Sequence, residues 1–172
     1  MSFVHNSGAT GEKLLPETMV GGVACFDMDG DQDPDLLLTG GRAWPWNNAD
    51  REVRSLGLYR NDAGQFVDVT AGSGFPQDAY VMGPAIGDVD GDGDLDVFLS
   101  CLGQDRLLLN ESGTFSEVPN AGGAAGSDEA WSSSSGFFDY DRDGDLDLFV
   151  CRYVQWSRTI DLELAFTLNG TD

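Results

Sequence analysis

Basic residues are scarce in this chain. Lysine occurs once, at Lys13, and nine lysines and arginines face 30 acids, for a formal net charge of −21 over 172 residues. Such a surface repels nucleic acid and anionic membrane, so neither is an expected partner. Histidine also occurs once, at His5; with no second imidazole and no cysteine cluster nearby, it reads as structural. The three cysteines, Cys25, Cys101 and Cys151, are an odd number without metal-ligand spacing. They read as small buried strand residues, not a disulfide framework, and say nothing about compartment. No apolar run is long enough to cross a bilayer. Met1-Ser2-Phe3-Val4-His5 lacks the basic segment and apolar stretch of a signal peptide. On that reading either export information was removed or the protein stays inside. The serine run Ser132 to Ser135 has only His5 as a candidate base and no nucleophile elbow. The expectation is that the chain is not an enzyme.

Aspartate is what the chain has in excess, and it is patterned. Asp27-Met28-Asp29-Gly30-Asp31-Gln32-Asp33-Pro34-Asp35 recurs as Asp88-Val89-Asp90-Gly91-Asp92-Gly93-Asp94-Leu95-Asp96 and as Asp139-Tyr140-Asp141-Arg142-Asp143-Gly144-Asp145-Leu146-Asp147. Each copy places aspartates at positions one, three, five, seven and nine. Carboxylates that close repel one another unless a cation sits among them. Glycine at position four or six lets the backbone take positive φ and curl its oxygens inward. Hard oxygen ligands on a curled, flexible loop suit calcium better than magnesium, which demands stricter octahedral geometry. Three calcium sites are therefore expected, and they would bring the net charge from −21 to −15 (three ions, +6). A solvated acidic face is the plainer explanation of a charge run. Alternate spacing with embedded glycine, three times over, argues against it.

The intervening segments also repeat. Leu58-Tyr59-Arg60-Asn61-Asp62-Ala63-Gly64-Gln65-Phe66-Val67-Asp68-Val69 matches Leu107-Leu108-Leu109-Asn110-Glu111-Ser112-Gly113-Thr114-Phe115-Ser116-Glu117-Val118 position by position, and both read as β-hairpins. Short apolar runs flank each aspartate loop: Gly21 to Phe26 before the first and Leu36-Leu37-Leu38 after it. The unit is strand, loop, strand, connection, strand, turn, strand, the size of a propeller blade. Blade one spans about 20–70, blade two about 81–118, and an incomplete blade three about 131–172. The expected fold is all-β, a partial β-propeller of two and a half four-stranded blades, with each loop between the first two strands of its blade. Propellers close with four to eight blades, so the remaining blades are expected from further chain. Residues 1–19 are expected to give a short strand and a loop, and Ile160 to Leu168 a strand or a short helix. Residues 42–55, with Trp44-Pro45-Trp46 and Asn47-Asn48, read as a surface connection.

An EF-hand needs a bidentate glutamate at position twelve and flanking helices. Position twelve here is Leu38, Leu99 or Val150, inside strand-like runs, and dockerin-type loops fail for the same reason. The last ligand must then be the aspartate at position nine. The arrangement resembles the FG-GAP-type repeats of integrin-α-like propellers. That resemblance implies calcium held by the side chains at positions one, three, five and nine and by the backbone carbonyl at position seven. These are Asp27, Asp29, Asp31 and Asp35 with Asp33; Asp88, Asp90, Asp92 and Asp96 with Asp94; and Asp139, Asp141, Asp143 and Asp147 with Asp145. Phe3-x-His5-x-x-Gly8, Pro16-Glu17, Leu58-Tyr59-Arg60-Asn61, Phe66-x-Asp68-Val69-Thr70 and Phe138 through Asp147 look like the cartilage-acidic-protein (ASPIC/UnbV-type) group. That group implies an extracellular or exported protein, periplasmic or at the cell surface, with a further C-terminal domain. Two departures stand out. Gln32 replaces the position-six glycine of the first loop, which predicts that this loop binds calcium most weakly. Ser100-Cys101-Leu102-Gly103 lacks the Gly-Ala-Pro of the family name.

The function expected is a calcium-stabilised structural or adhesive module with a protein or glycan partner. The alternative is a carbohydrate- or protein-recognition propeller whose contact face includes Trp44, Trp46 and Trp131. Asn110-Glu111-Ser112 and Asn169-Gly170-Thr171 match glycosylation acceptors.

Overall fold

The computed structural model describes residues 3–46 and 54–163. Within them, strands β1 (Gly22–Phe26), β2 (Asp35–Thr39), β3 (Leu56–Asp62) and β4 (Gln65–Asp68) form one antiparallel sheet in sequence order. Strands β5 (Tyr80–Gly87), β6 (Asp96–Leu102), β7 (Arg106–Glu111) and β8 (Thr114–Val118) form the next four-stranded unit. A final hairpin, β9 (Ala130–Phe138) with β10 (Asp147–Gln155), joins β6 through the single pair Leu102 and Trp131. This is the all-β partial propeller expected, with the sheets left open.

Local chemistry explains the hairpins. Each aspartate loop closes the first two strands of its unit, with Phe26 opposite Asp35, Gly87 opposite Asp96 and Phe138 opposite Asp147. The β3–β4 turn puts Ala63 at φ 52° and Gly64 at 89°, and the β7–β8 turn puts Ser112 at 47° and Gly113 at 88°. Two successive positive φ values match the right-handed strand twist that a two-residue hairpin must follow.

The units pack through their first strands. A Cβ on Gly22 of β1 would lie 3.0 Å from Gly83 Cα and Pro84 Cδ of β5, so a side chain there would push the two backbones apart by a few tenths of an ångström. Leu37, Leu56 and Leu58 of the first sheet bury against Val81, Val97, Leu99 and Leu108 of the second. Each fully buried leucine is worth about 1.5–3 kcal/mol relative to exposure. A second core joins Ala85 and Phe98 to Phe137, Leu148 and Val150 of the last hairpin. A third, of Leu14, Val20, Trp44, Tyr80, Met82, Trp131 and Trp156, gathers at the strand ends opposite the aspartate loops.

Some local expectations change. Residues 3–14 form no strand; Leu15–Thr18 is a 3₁₀ turn with Pro16 near its start. The segment spends its hydrogen bonds on anchoring: Gly41 N donates to the Asn6 carbonyl and Tyr80 Oη to that of Ser7. His5 Nε2–H donates to the Val20 carbonyl at 3.0 Å, which ties the N-terminal segment to the start of β1. A helix, α1 (Arg158–Glu163), opens the segment left as strand or helix. Its continuation to Leu168, Asn47-Asn48 and the Asn169-Gly170-Thr171 acceptor lie outside the described residues. All three cysteines are free and sit in strands, but only Cys101 is buried. Cys25 and Cys151 are exposed because they point away from the neighbouring unit, one on the first strand of the array and one on its last.

Candidate metal centres

Three loops share one construction. The position-one carboxylate wraps the loop backbone: Asp27 accepts from Gly30 N and Gln32 N, Asp88 from Gly91 N and Gly93 N, Asp139 from Arg142 N and Gly144 N, at 2.7–3.2 Å. The position-five carboxylate caps position seven, with Asp33 N, Asp94 N and Asp145 N donating to Asp31, Asp92 and Asp143 at 2.8–2.9 Å. The position-nine carboxylate reaches back to position two, accepting Met28 N, Val89 N and Tyr140 N, each at 2.8 Å.

The result is a convergence of acids. One oxygen from each of Asp27, Asp29 and Asp35 lies within 4.8 Å of the others, and the same holds for Asp88, Asp90 and Asp96 and for Asp139, Asp141 and Asp147. Oxygens sharing one calcium at 2.3–2.6 Å stand no more than about 5 Å apart, so positions one, three and nine fit a common ion. Asp29 Oδ1 is buried and, among the described residues, without a hydrogen-bond partner. A buried acceptor left empty is costly unless a cation or donor meets it. Burial, then the charges of Asp31 and Asp35, push the Asp29 carboxyl above its ordinary range. Burial does the same for Asp96. A calcium ion would supply the missing positive charge at these oxygens.

The remaining predicted ligands are placed differently. Asp31, Asp92 and Asp143 border each cluster but lie outside the 4.8 Å groups. At position seven, Asp33 Oδ2 accepts Ala63 N at 3.0 Å and Asp94 Oδ2 accepts Ser112 N at 2.7 Å. Those side chains tie the loop to the hairpin turn of the same unit. Asp145 sits in the third loop, where no second hairpin follows among the described residues.

The position-nine aspartates of the first two loops also hold the second hairpin of their unit. Asp35 Oδ1 accepts Asn61 N at 2.7 Å, and Asp96 Oδ1 accepts Asn110 N at 2.8 Å. Both aspartates are fully buried, whereas Asp147 is exposed. The repeated asparagine is thus a support that reading the loops alone misses; its only sequence signal is its recurrence in the two matching hairpins.

Left-handed backbone is common to all three loops. Positions four and six are left-handed in every loop: Gly30 at 79° and Gln32 at 71°, Gly91 at 75° and Gly93 at 99°, Arg142 at 66° and Gly144 at 99°. Arg142 therefore carries the same penalty as Gln32, about 1 kcal/mol, and the first loop is not singled out by backbone strain.

At the opposite end, Tyr80, Trp44 and Trp46 stack with centroids 4.7 and 5.1 Å apart, and Arg158 lies over Trp46. They border a cleft of about 310 Å³ with Arg42, Gln104 and Trp156. Trp131 is fully buried and is no contact residue.

The family described as FG-GAP-like repeat matches residues 27–99 and 98–150. No curated protein gives a significant match to the chain.

Proposed function

Since the chain belongs to the FG-GAP-like repeat family, we propose that it is a calcium-binding structural and interaction module of a longer secreted or exported protein, of the cartilage-acidic-protein type. The observation that carries this reading is the first loop: three converging carboxylates, one with a buried oxygen left unpaired. Calcium, when bound, neutralises the carboxylates and pins the first two strands of a unit together. Asp27, Asp88 and Asp139 shape the loops, Asp35, Asp96 and Asp147 close them, and Asp29, Asp90 and Asp141 complete the oxygen sets. Asp31, Asp92 and Asp143 fill the outer positions, with the carbonyls of Asp33, Asp94 and Asp145 as further ligands. The unfolded chain presents no formed site, so binding energy becomes folding energy. Affinities of about 10⁻⁴–10⁻³ M are typical of extracellular modules.

FG-GAP repeats generally serve in interaction and outside the cell, and no helix among the described residues is long and apolar enough to span a membrane. A non-catalytic role fits His5 being spent on Val20 and the acids being spent on the loops. Further blades from the parent chain would cover the exposed Val23 and Phe149, and the partner is a protein or a glycan. The test is a melt in excess chelator against millimolar calcium. A rise of about 10 °C or more with calcium supports the reading, and identical melts refute it.

A second reading rests on the tryptophan-bordered cleft as a carbohydrate- or protein-recognition site. Glycan-array binding that is lost in Trp46→Ala would favour it.

A further inference from the structure

Asn110 sits between two of the aspartate loops and touches both. Its main-chain N–H donates to Asp96 Oδ1 at 2.8 Å, holding the position-nine carboxylate of the second loop. Its side-chain Nδ2 donates to the Leu95 carbonyl of that loop at 3.1 Å and to the Met28 carbonyl of the first loop at 2.8 Å. Its Oδ1 accepts Gly113 N at 2.9 Å, so the carboxamide has no freedom left and is buried to 3 % exposure. The same turn crowds the first loop from above: a Cβ on Gly113 would lie 3.4 Å from Asp29 Cβ.

Met28 is the residue before Asp29, and its peptide is gripped from two sides. Its N–H is held by Asp35 and its carbonyl by Asn110. The hydrogen bond to Met28 crosses from the second unit to the first, 82 residues away. Asn61 stands at the matching position of the first unit, but among the described residues its Nδ2 donates within its own loop, to the Pro34 carbonyl at 3.0 Å.

We propose that Asn110 is a positioning residue that couples the first and second loops, so that calcium at either raises the affinity of the other. This rests on the calcium reading above. The physical route is short. Asp96 and Leu95, which would be held in place by an ion in the second loop, orient Asn110, and Asn110 holds the Met28 carbonyl next to Asp29, whose oxygen is buried in the first loop. Groups that orient metal ligands from behind commonly control affinity by tenfold or more, and coupling between sites is reciprocal.

The experiment is a calcium titration of the full chain followed by amide NMR at Gly30, Gly91 and Gly144, one glycine in each loop. Asn110→Ala should weaken the first and second loops by about tenfold and leave the third unchanged. Asp92→Asn, which impairs the second loop without touching Asn110, should weaken the first loop by about fivefold in the native background. The same change should have no further effect on the first loop in the Asn110→Ala background. If Asn110→Ala does not fold, the Asp92→Asn arm alone decides. A first loop that fills identically with and without a working second loop overturns the coupling while the third loop still reports calcium. Absence of calcium shifts at all three glycines overturns the calcium reading itself and the coupling with it.

Discussion

Phe98 and Phe149 occupy the same position in successive units, two residues past the closing aspartate, yet Phe98 is 0 % exposed and Phe149 58 %. Phe98 meets Phe137 of the last hairpin edge-on, with ring centroids 6.4 Å apart. Phe149 faces outward on β10, and no further unit packs on it among the described residues. The same side chain in the same strand is core or surface according to whether a neighbour follows it.

That contrast sets the first prediction. Phe98→Ala should cost about 3–5 kcal/mol in urea unfolding, because it opens a cavity between two units. Phe149→Ser should change stability by less than about 1 kcal/mol and reduce self-association measured by analytical ultracentrifugation.

The position-nine aspartates should matter even without calcium. Asp35→Ala strips the acceptor from two main-chain donors, Met28 N and Asn61 N. In chelator this should cost about 2–4 kcal/mol. Asp147→Ala, at an exposed site where Tyr140 N is the backbone donor among the described residues, should cost less than half as much. Equal losses would show that burial and the third-strand amide are irrelevant.

Backbone strain gives a third. Gln32→Gly and Arg142→Gly relieve left-handed non-glycine residues. Each should stabilise the calcium-loaded protein by up to about 1 kcal/mol, less the entropy glycine adds to the unfolded chain. Gly93→Ala should move stability the other way. Denaturation midpoints of the three variants check the signs.

The pH dependence has a definite direction at Asp105. It is buried, accepts Cys101 N at 2.8 Å and Ser132 Oγ at 2.7 Å, and burial raises its carboxyl above the ordinary 3.8. In the window between 3.8 and that raised value the folded state holds a proton that the unfolded state has released. Its contribution is therefore greatest below the ordinary value and is lost as pH rises through the folded one. Asp29 and Asp96 add the same sign in chelator. Asp105→Asn should flatten this part of the stability profile measured by urea midpoints from pH 4 to 7. An unchanged slope would remove Asp105 from the account.

Much of the molecule was legible in the residues themselves. The aspartate spacing, the paired hairpins and the short apolar runs are local patterns, and local patterns determine strand–loop–strand units, the turns that close them and the carboxylates that converge. Positions one, three and nine meet because a nine-residue loop returning to its own hairpin has few ways to curl.

Tertiary structure alone decided what lies between units. Whether Cys25 or Cys101 is buried, whether Phe98 or Phe149 is core, and that Trp131 is sealed while Trp46 stays half-open follow from which faces find a neighbour. The asparagine that serves two loops became visible only when two sheets stacked, because its decisive contact joins residues 82 apart in sequence. Spacing along a chain encodes contacts made within a hairpin, whereas contacts across a stack depend on the approach of backbones such as Gly22 and Gly83, which no single repeat contains.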